Sequence, residues 1–145
     1  MRIRLYIAVL MLGLACATTA SAQVAVIAHK DVPANSLTKF QLLEYYSGEE
    51  LSWPSSDLPV VVFDLKAKGA VKDAFYTYLG RSSSRMKSIW LKRKLAGEGN
   101  PPESFQTEEE LLHHVASTPG AIGFIHPSKV NGDVKVLIEI DDAEG

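Results

Sequence analysis

The feature that most narrows the folds open to this chain is the segment Leu58 to Phe63, where Val60-Val61-Val62 leaves no side chain suited to water. A strand with one wet face alternates polar and apolar residues, whereas an unbroken apolar run is covered on both faces. This run therefore predicts a strand at the centre of a sheet. Val24 to Ala28 is a second short apolar run and reads as another buried strand. Ala121 to Ile125 is a third, and its Gly123 points to a close backbone approach. Val134 to Ile140 differs, because Val134, Val136 and Ile138 alternate with polar neighbours. That pattern predicts an edge strand with one wet face.

Helical spacing fills the intervals. Ser36 stands where an N-cap would, ahead of Leu37, Phe40, Leu43 and Tyr46, and Ser47-Gly48 ends that helix. Gly69 opens a second helix, whose Val71, Ala74, Phe75, Tyr78 and Leu79 form an apolar stripe stopped by Gly80. Ser82-Ser83-Ser84 caps a third helix running to about Leu95, with Met86, Ile89 and Trp90 inward, and Pro101-Pro102 is a firm break after it. Thr107 with Glu110 has the form of a capping box before Leu111, Leu112 and Val115. Strands interleaved with helices predict an α/β domain with a mixed sheet.

The N-terminus reads as a leader. Arg2 and Arg4 precede an uncharged apolar run from Leu5 to Ala15, and Ala20-Ser21-Ala22 has the form read by a signal peptidase. An apolar stretch of about 11 residues is short for a membrane-spanning helix, which takes about 20. Cleavage after Ala22 would leave residues 23–145, enough for one domain and too few for two. Cys16, the chain's one cysteine, is preceded by Gly13-Leu14-Ala15 and lacks the leucine three residues upstream that lipid attachment sites usually carry. With it removed, disulfides and cysteine chemistry are excluded from the mature domain. Residues 141–145 read as an acidic tail.

Charge is strongly segregated. Nine basic residues lie between Asp64 and Lys94 against two acidic ones, while the rest of the mature chain has four basic and fifteen acidic residues. Such a field steers anions or an acidic partner surface. Nucleic acid fits poorly, because the net charge is negative and Tyr76, Tyr78 and Trp90 fall at core spacing. His113-His114 are adjacent on one helix, so their side chains diverge and suit a shared metal poorly. His29 and His126 read as loop residues, Ser82-Ser83-Ser84 as a cap, and Glu108 to Glu110 as carboxylates favoured at a helix start. Nothing in these motifs assembles a catalytic constellation or a cofactor site.

Three passages resemble the phosphate-binding component of bacterial phosphate ABC transporters and its short relatives. They are Leu37 to Gly48 followed by Trp53, then Val60-Val61-Val62 with Phe75 to Leu79, and Thr118-Pro119-Gly120-Ala121-Ile122-Gly123-Phe124-Ile125. The resemblance implies a single periplasmic-binding-protein-like lobe over residues 23–140, with inorganic phosphate or another small oxyanion as ligand and an ABC permease as possible partner. It also implies a departure. Where the full-length family carries an arginine followed by Gly-Ser-Gly-Thr, this chain has Leu65-Lys66-Ala67-Lys68-Gly69-Ala70-Val71-Lys72. Lysine supplies a point charge where arginine supplies a bidentate fork, and a single lobe leaves an anion half hydrated.

The expected ligand positions are therefore the amides around Gly69, charge from Lys66 and Lys68, and the Ser36 hydroxyl at a second helix start. The rival reading is a non-catalytic interaction module that kept the fold, lost the ligand, and docks an acidic protein partner through the basic 64–94 segment. Expressed with its leader in a bacterium that exports proteins, the chain is expected to be recovered from the periplasm beginning at Gln23. Intact-mass measurement checks this, and a lipid adduct on Cys16 would refute it.

Overall fold

The structure, a computed structural model, describes residues 22–141; the expected leader up to Ser21, with Cys16, and the end of the acidic tail lie outside the described residues, while Ala22, expected to end the leader, is the first residue of a strand. Five strands and four helices follow in the order β1 (Ala22–His29), α1 (Lys39–Ser47), β2 (Val61–Leu65), α2 (Ala70–Leu79), α3 (Ser83–Leu95), β3 (Glu103–Phe105), α4 (Glu108–Ser117), β4 (Ala121–Ile125) and β5 (Val134–Asp141). One mixed sheet takes the order β3-β2-β4-β1-β5. Strand β2 is parallel to both β3 and β4, and β1 runs antiparallel between β4 and β5. Among the described residues no helix is long and apolar enough to cross a membrane.

Like β1, in which Val24 to Ala28 are all buried, β4 is covered on both faces. All five of its residues are buried. On one side Gly123 takes the weight of α4, since a Cβ there would stand 2.5 Å from Leu111 and 3.2 Å from Val115. On the other, Phe124 stacks on Phe75 of α2 with ring centroids 3.9 Å apart. The expectation that Val60-Val61-Val62 would be central is corrected. Val61 and Val62 are half-buried and pair only with β4, because β3 meets β2 from Phe63 onward. The edge strand β3 carries too little pattern in its three residues to be foreseen.

Two further corrections concern helix and strand detail. Ser36 does not cap α1. Thr38 does, accepting from the Gln41 amide at 3.1 Å while the Gln41 side chain accepts from the Thr38 amide at 2.9 Å. The reciprocal capping box secures two helix-start amides where a lone serine would secure one. Phe40 consequently turns outward and is 67% exposed. In β5, the inward set is Val134, Leu137 and Ile140, with Val136 and Ile138 half-buried. A bulge opposite Val26 and Ile27 breaks the expected alternation, since one extra residue reverses the side chains that follow it. The edge position of β5 stands, and Asp141, expected in the tail, is its last residue.

Aromatic side chains tie loops to this sheet by satisfying buried backbone carbonyls. Tyr46 donates its hydroxyl to the Phe63 carbonyl at 2.8 Å, and Trp53 Nε1 donates to Gly120 at 3.0 Å. Trp90 Nε1 donates to Tyr46 at 2.7 Å and Arg93 Nε to Ser47 at 2.6 Å, which fastens α3 across the end of α1. At Gly120 the chain turns with φ +82°, and a Cβ would overlap the Pro59 carbonyl oxygen.

Gly120→Ala combines left-handed strain with that overlap and is expected to lower unfolding free energy by about 2–5 kcal/mol, read from a urea transition. Burial pushes the Tyr46 phenol well above its ordinary value, with Tyr76 and Asp64 adding to the shift, and burial likewise raises Tyr76. A group that holds its proton more tightly when folded stabilises the fold below the unfolded value and loses that contribution as pH rises past it. The urea midpoint should therefore hold through neutral pH and fall above about pH 10. A midpoint still level at about pH 11 would contradict this.

Candidate functional site

Strand β2 ends at Leu65, and the chain swings through Lys66 to Gly69 before α2 begins. The turn is held from behind by Lys72, in the first turn of α2. Lys72 is buried, donates to the Leu65 carbonyl at 2.5 Å and lies 3.8 Å from the Asp64 carboxylate. Asp64 also accepts from the Leu65 amide at 2.8 Å, and its negative charge adds to burial in raising the Tyr76 phenol. Lys72 is thus a structural cation whose charge is already answered, as burial of an ammonium requires.

With Lys72 turned inward, Lys66 and Lys68 remain outside. They line an open cleft of about 610 Å³ whose other wall is the α2–α3 junction, with Gly80, Arg81, Ser82, Ser83 and Lys87. Five of the nine basic residues of the 64–94 segment line this cleft, and Asp73 is the sole carboxylate in its lining. Among the described residues Lys66, Lys68 and Lys87 carry no ion pair. Ser82 Oγ is committed to capping α3 through the Arg85 amide at 3.1 Å. The cleft can therefore attract and hydrogen-bond an anion through flexible ammonium groups, with no fixed fork.

Gly69 is the N-cap of α2 in an extended conformation, without a side-chain cap, and nothing stands within 4 Å of its Cβ position. It faces a second, smaller depression of about 320 Å³ that it shares with Lys68 and the start of α4. The α4 side of this depression is occupied by its own ions. Glu108 accepts from the His126 amide at 2.5 Å, and Lys129 bridges Glu108 at 2.9 Å and Glu109 at 3.0 Å. The bridge holds Glu109 below and Lys129 above their ordinary values, hydrogen bonding being the first cause in each.

Lys66, Lys68 and Gly69 are thus brought together at one turn, with Lys68 common to both depressions. Ser36 is not. Lys39, three residues after it, lies 4.6 Å from the Tyr78 ring centre at the far end of α2. Nine residues of helical rise, about 13 Å, separate Tyr78 from Gly69. Nothing in the chain's pattern foretold that Arg81 and Lys87 would share a cleft with Lys66, because a run of basic residues does not say which side each takes.

The other polar candidates are accounted for locally. His114 stacks on Phe105 at 4.3 Å, His126 Nδ1 accepts from the Ser128 amide, and His29 Nδ1 accepts from the Asp31 amide. Thr107 accepts from the Glu110 amide, the half of the expected capping box that forms. Among the described residues no three histidine, aspartate, glutamate or cysteine side chains gather as a metal site.

No protein-family profile matches the sequence, and no curated protein matches it. Solved structures do match in fold. A phosphate ABC transporter substrate-binding protein with bound phosphate from Clostridium perfringens superposes with TM-score 0.67 at 23% identity, over 81% of this chain and 45% of that one. An ABC-type phosphate transport receptor from Vibrio cholerae gives 0.65 at 20% identity, over 81% and 46%. PstS from Borrelia burgdorferi gives 0.62 at 11% identity, over 81% and 47%. The chain spans less than half the length of each of these proteins. Its fold is that of part of a phosphate ABC transporter substrate-binding protein.

Proposed function

We propose that this is an extracytoplasmic, non-catalytic solute-binding-like lobe that takes inorganic phosphate or another small oxyanion in the basic cleft beside the β2–α2 turn. The observation that carries this reading is the convergence of Lys66, Lys68, Arg81 and Lys87 on one concave surface, while the remaining basic residue there, Lys72, is neutralised inside. The fold shared with a protein crystallised with phosphate supports it. Lys66 and Lys68 supply charge, while the uncapped helix start at Gly69 faces the adjoining depression, which shares Lys68 with the cleft. Ser36 has no part in it. An ABC permease would be the natural recipient of a delivered solute.

A second reading is favoured by a specific observation. Leu91 and Leu95 on α3 are 56% and 80% exposed beside Lys87 and Lys94, as on a surface that another protein covers. On this reading the lobe is an interaction module that docks an acidic partner through the basic segment.

Calorimetric titration with phosphate and sulfate at low ionic strength separates the two. Oxyanion binding predicts saturable heat that weakens about tenfold or more in the Lys66→Ala/Lys68→Ala variant, the loss expected for charge-assisted hydrogen bonds. Absence of heat at millimolar ligand would remove solute binding. Capture of an acidic periplasmic protein that is released by high salt would then support the module.

A further inference from the structure

On the side of α3 facing β2 lies a chamber of about 390 Å³ that adjoins the basic cleft and shares Tyr76, Ser83 and Lys87 with it, but whose aromatic floor the oxyanion reading does not use. Its walls are aromatic. The polar handles of two rings are already spent, Tyr46 on the Phe63 carbonyl and Trp90 on the Tyr46 carbonyl, and the Tyr76 hydroxyl interacts with the Asp64 carboxylate. These rings therefore offer only apolar surface to whatever enters. Met86 and the Pro101-Pro102 pair continue that surface. Asp64, the one carboxylate in the lining, is answered by Lys72 and the Leu65 amide.

The remaining polar groups can all donate. Ser83 and Ser104 have hydroxyls with no partner among the described residues, and Lys87 and Lys94 have no ion pair. Lys87 and Lys94 stand seven residues apart on α3, two turns along one face, about 10 Å of helical rise. They form a cationic rim over an apolar floor. A volume near the lower end of the range for small-molecule sites, about 300–1,000 Å³, fits a compact ligand.

We propose that this chamber is a second ligand site, for a small carboxylate with an apolar body such as an alicyclic or short-chain aliphatic acid. The body would lie against Tyr46, Tyr76 and Trp90, and the carboxylate would meet Lys87 and Lys94. Phosphate lacks a part that could use the aromatic floor, so the two sites take different ligands although Lys87 borders both; Lys66 and Lys68 belong to the cleft alone and Lys94 to the chamber alone, which lets a variant test each separately.

Trp90 reports on the chamber, while Trp53, the chain's other tryptophan, is buried outside its lining. The ¹⁵N-labelled protein is titrated with cyclohexanecarboxylate, hexanoate, cyclohexylmethanol and inorganic phosphate, following both indole N–H resonances. The acids are expected to shift Trp90 saturably and leave Trp53 in place, with the uncharged alcohol about tenfold weaker or more. The Lys87→Gln/Lys94→Gln variant, altered only at exposed side chains, should reduce the acids to the strength of the alcohol. Lys66→Ala/Lys68→Ala should leave them unchanged. The proposal is overturned if neither acid saturates at millimolar concentration, if the alcohol binds as well as the acids, or if phosphate moves Trp90 as they do.

Discussion

The packing of β4 against helices on both faces is the constraint from which the rest of this structure follows. Gly123 lets α4 approach so closely that no side chain could be inserted, and the next residue, Phe124, stacks on Phe75 of α2 on the opposite face. A strand buried twice fixes the distance between two helical layers, and close packing leaves little slack for either to shift. Once α2 is placed by Phe75, its first turn is placed too, and with it the turn from Lys66 to Gly69. The candidate site is positioned by a glycine and a phenylalanine that contribute no polar group to it.

Buried carbonyls explain why the conspicuous aromatic residues are where they are. Tyr46, Trp53 and Trp90 each bring a single donor to a buried backbone oxygen, in the case of Gly120 one that also accepts from the Val61 amide. Their roles are architectural: they bind the loop before β2, the turn before β4, and α3 to one core. Trp90 and Arg93 hold α3 over the end of α1, so the chain's own helix flanks Tyr46 and Tyr76 and forms one wall of the apolar chamber. This is how a chain less than half the length of its structural neighbours still surrounds a core.

Electrostatics divides the basic segment into inner and outer roles. Lys72 is drawn inward by Asp64 and the Leu65 carbonyl, because a buried ammonium needs acceptors on every side that water has left. Lys66, Lys68, Arg81 and Lys87 keep their water and converge on one cleft. The neighbouring depression is closer to neutral, because Glu108 and Glu109 at the start of α4 offset its lysines and Lys129 clamps them. Two helix starts face the same hollow, one satisfied by its own carboxylates and one, at Gly69, without a side-chain cap.

The sequence by itself determined the α/β class, the number and kind of the major elements, the Gly48, Gly80 and Ser82 boundaries, and the close approach at Gly123. These are local or periodic properties, set by side-chain sterics and by which face of an element avoids water. It also marked Lys66, Lys68 and Gly69 as neighbours, since they are consecutive along one turn. The Thr38–Gln41 capping box of α1 is also local and stands in the sequence as Thr-x-x-Gln, although the spacing ahead of Leu37 points to Ser36. Only the tertiary structure decided that β4 and not β2 is buried on both sides, and that a bulge turns Leu137 inward. It alone set Arg81 and Lys87 in one cleft with Lys66. Those outcomes depend on which elements become neighbours, and neighbours distant in the chain are chosen by packing of the whole.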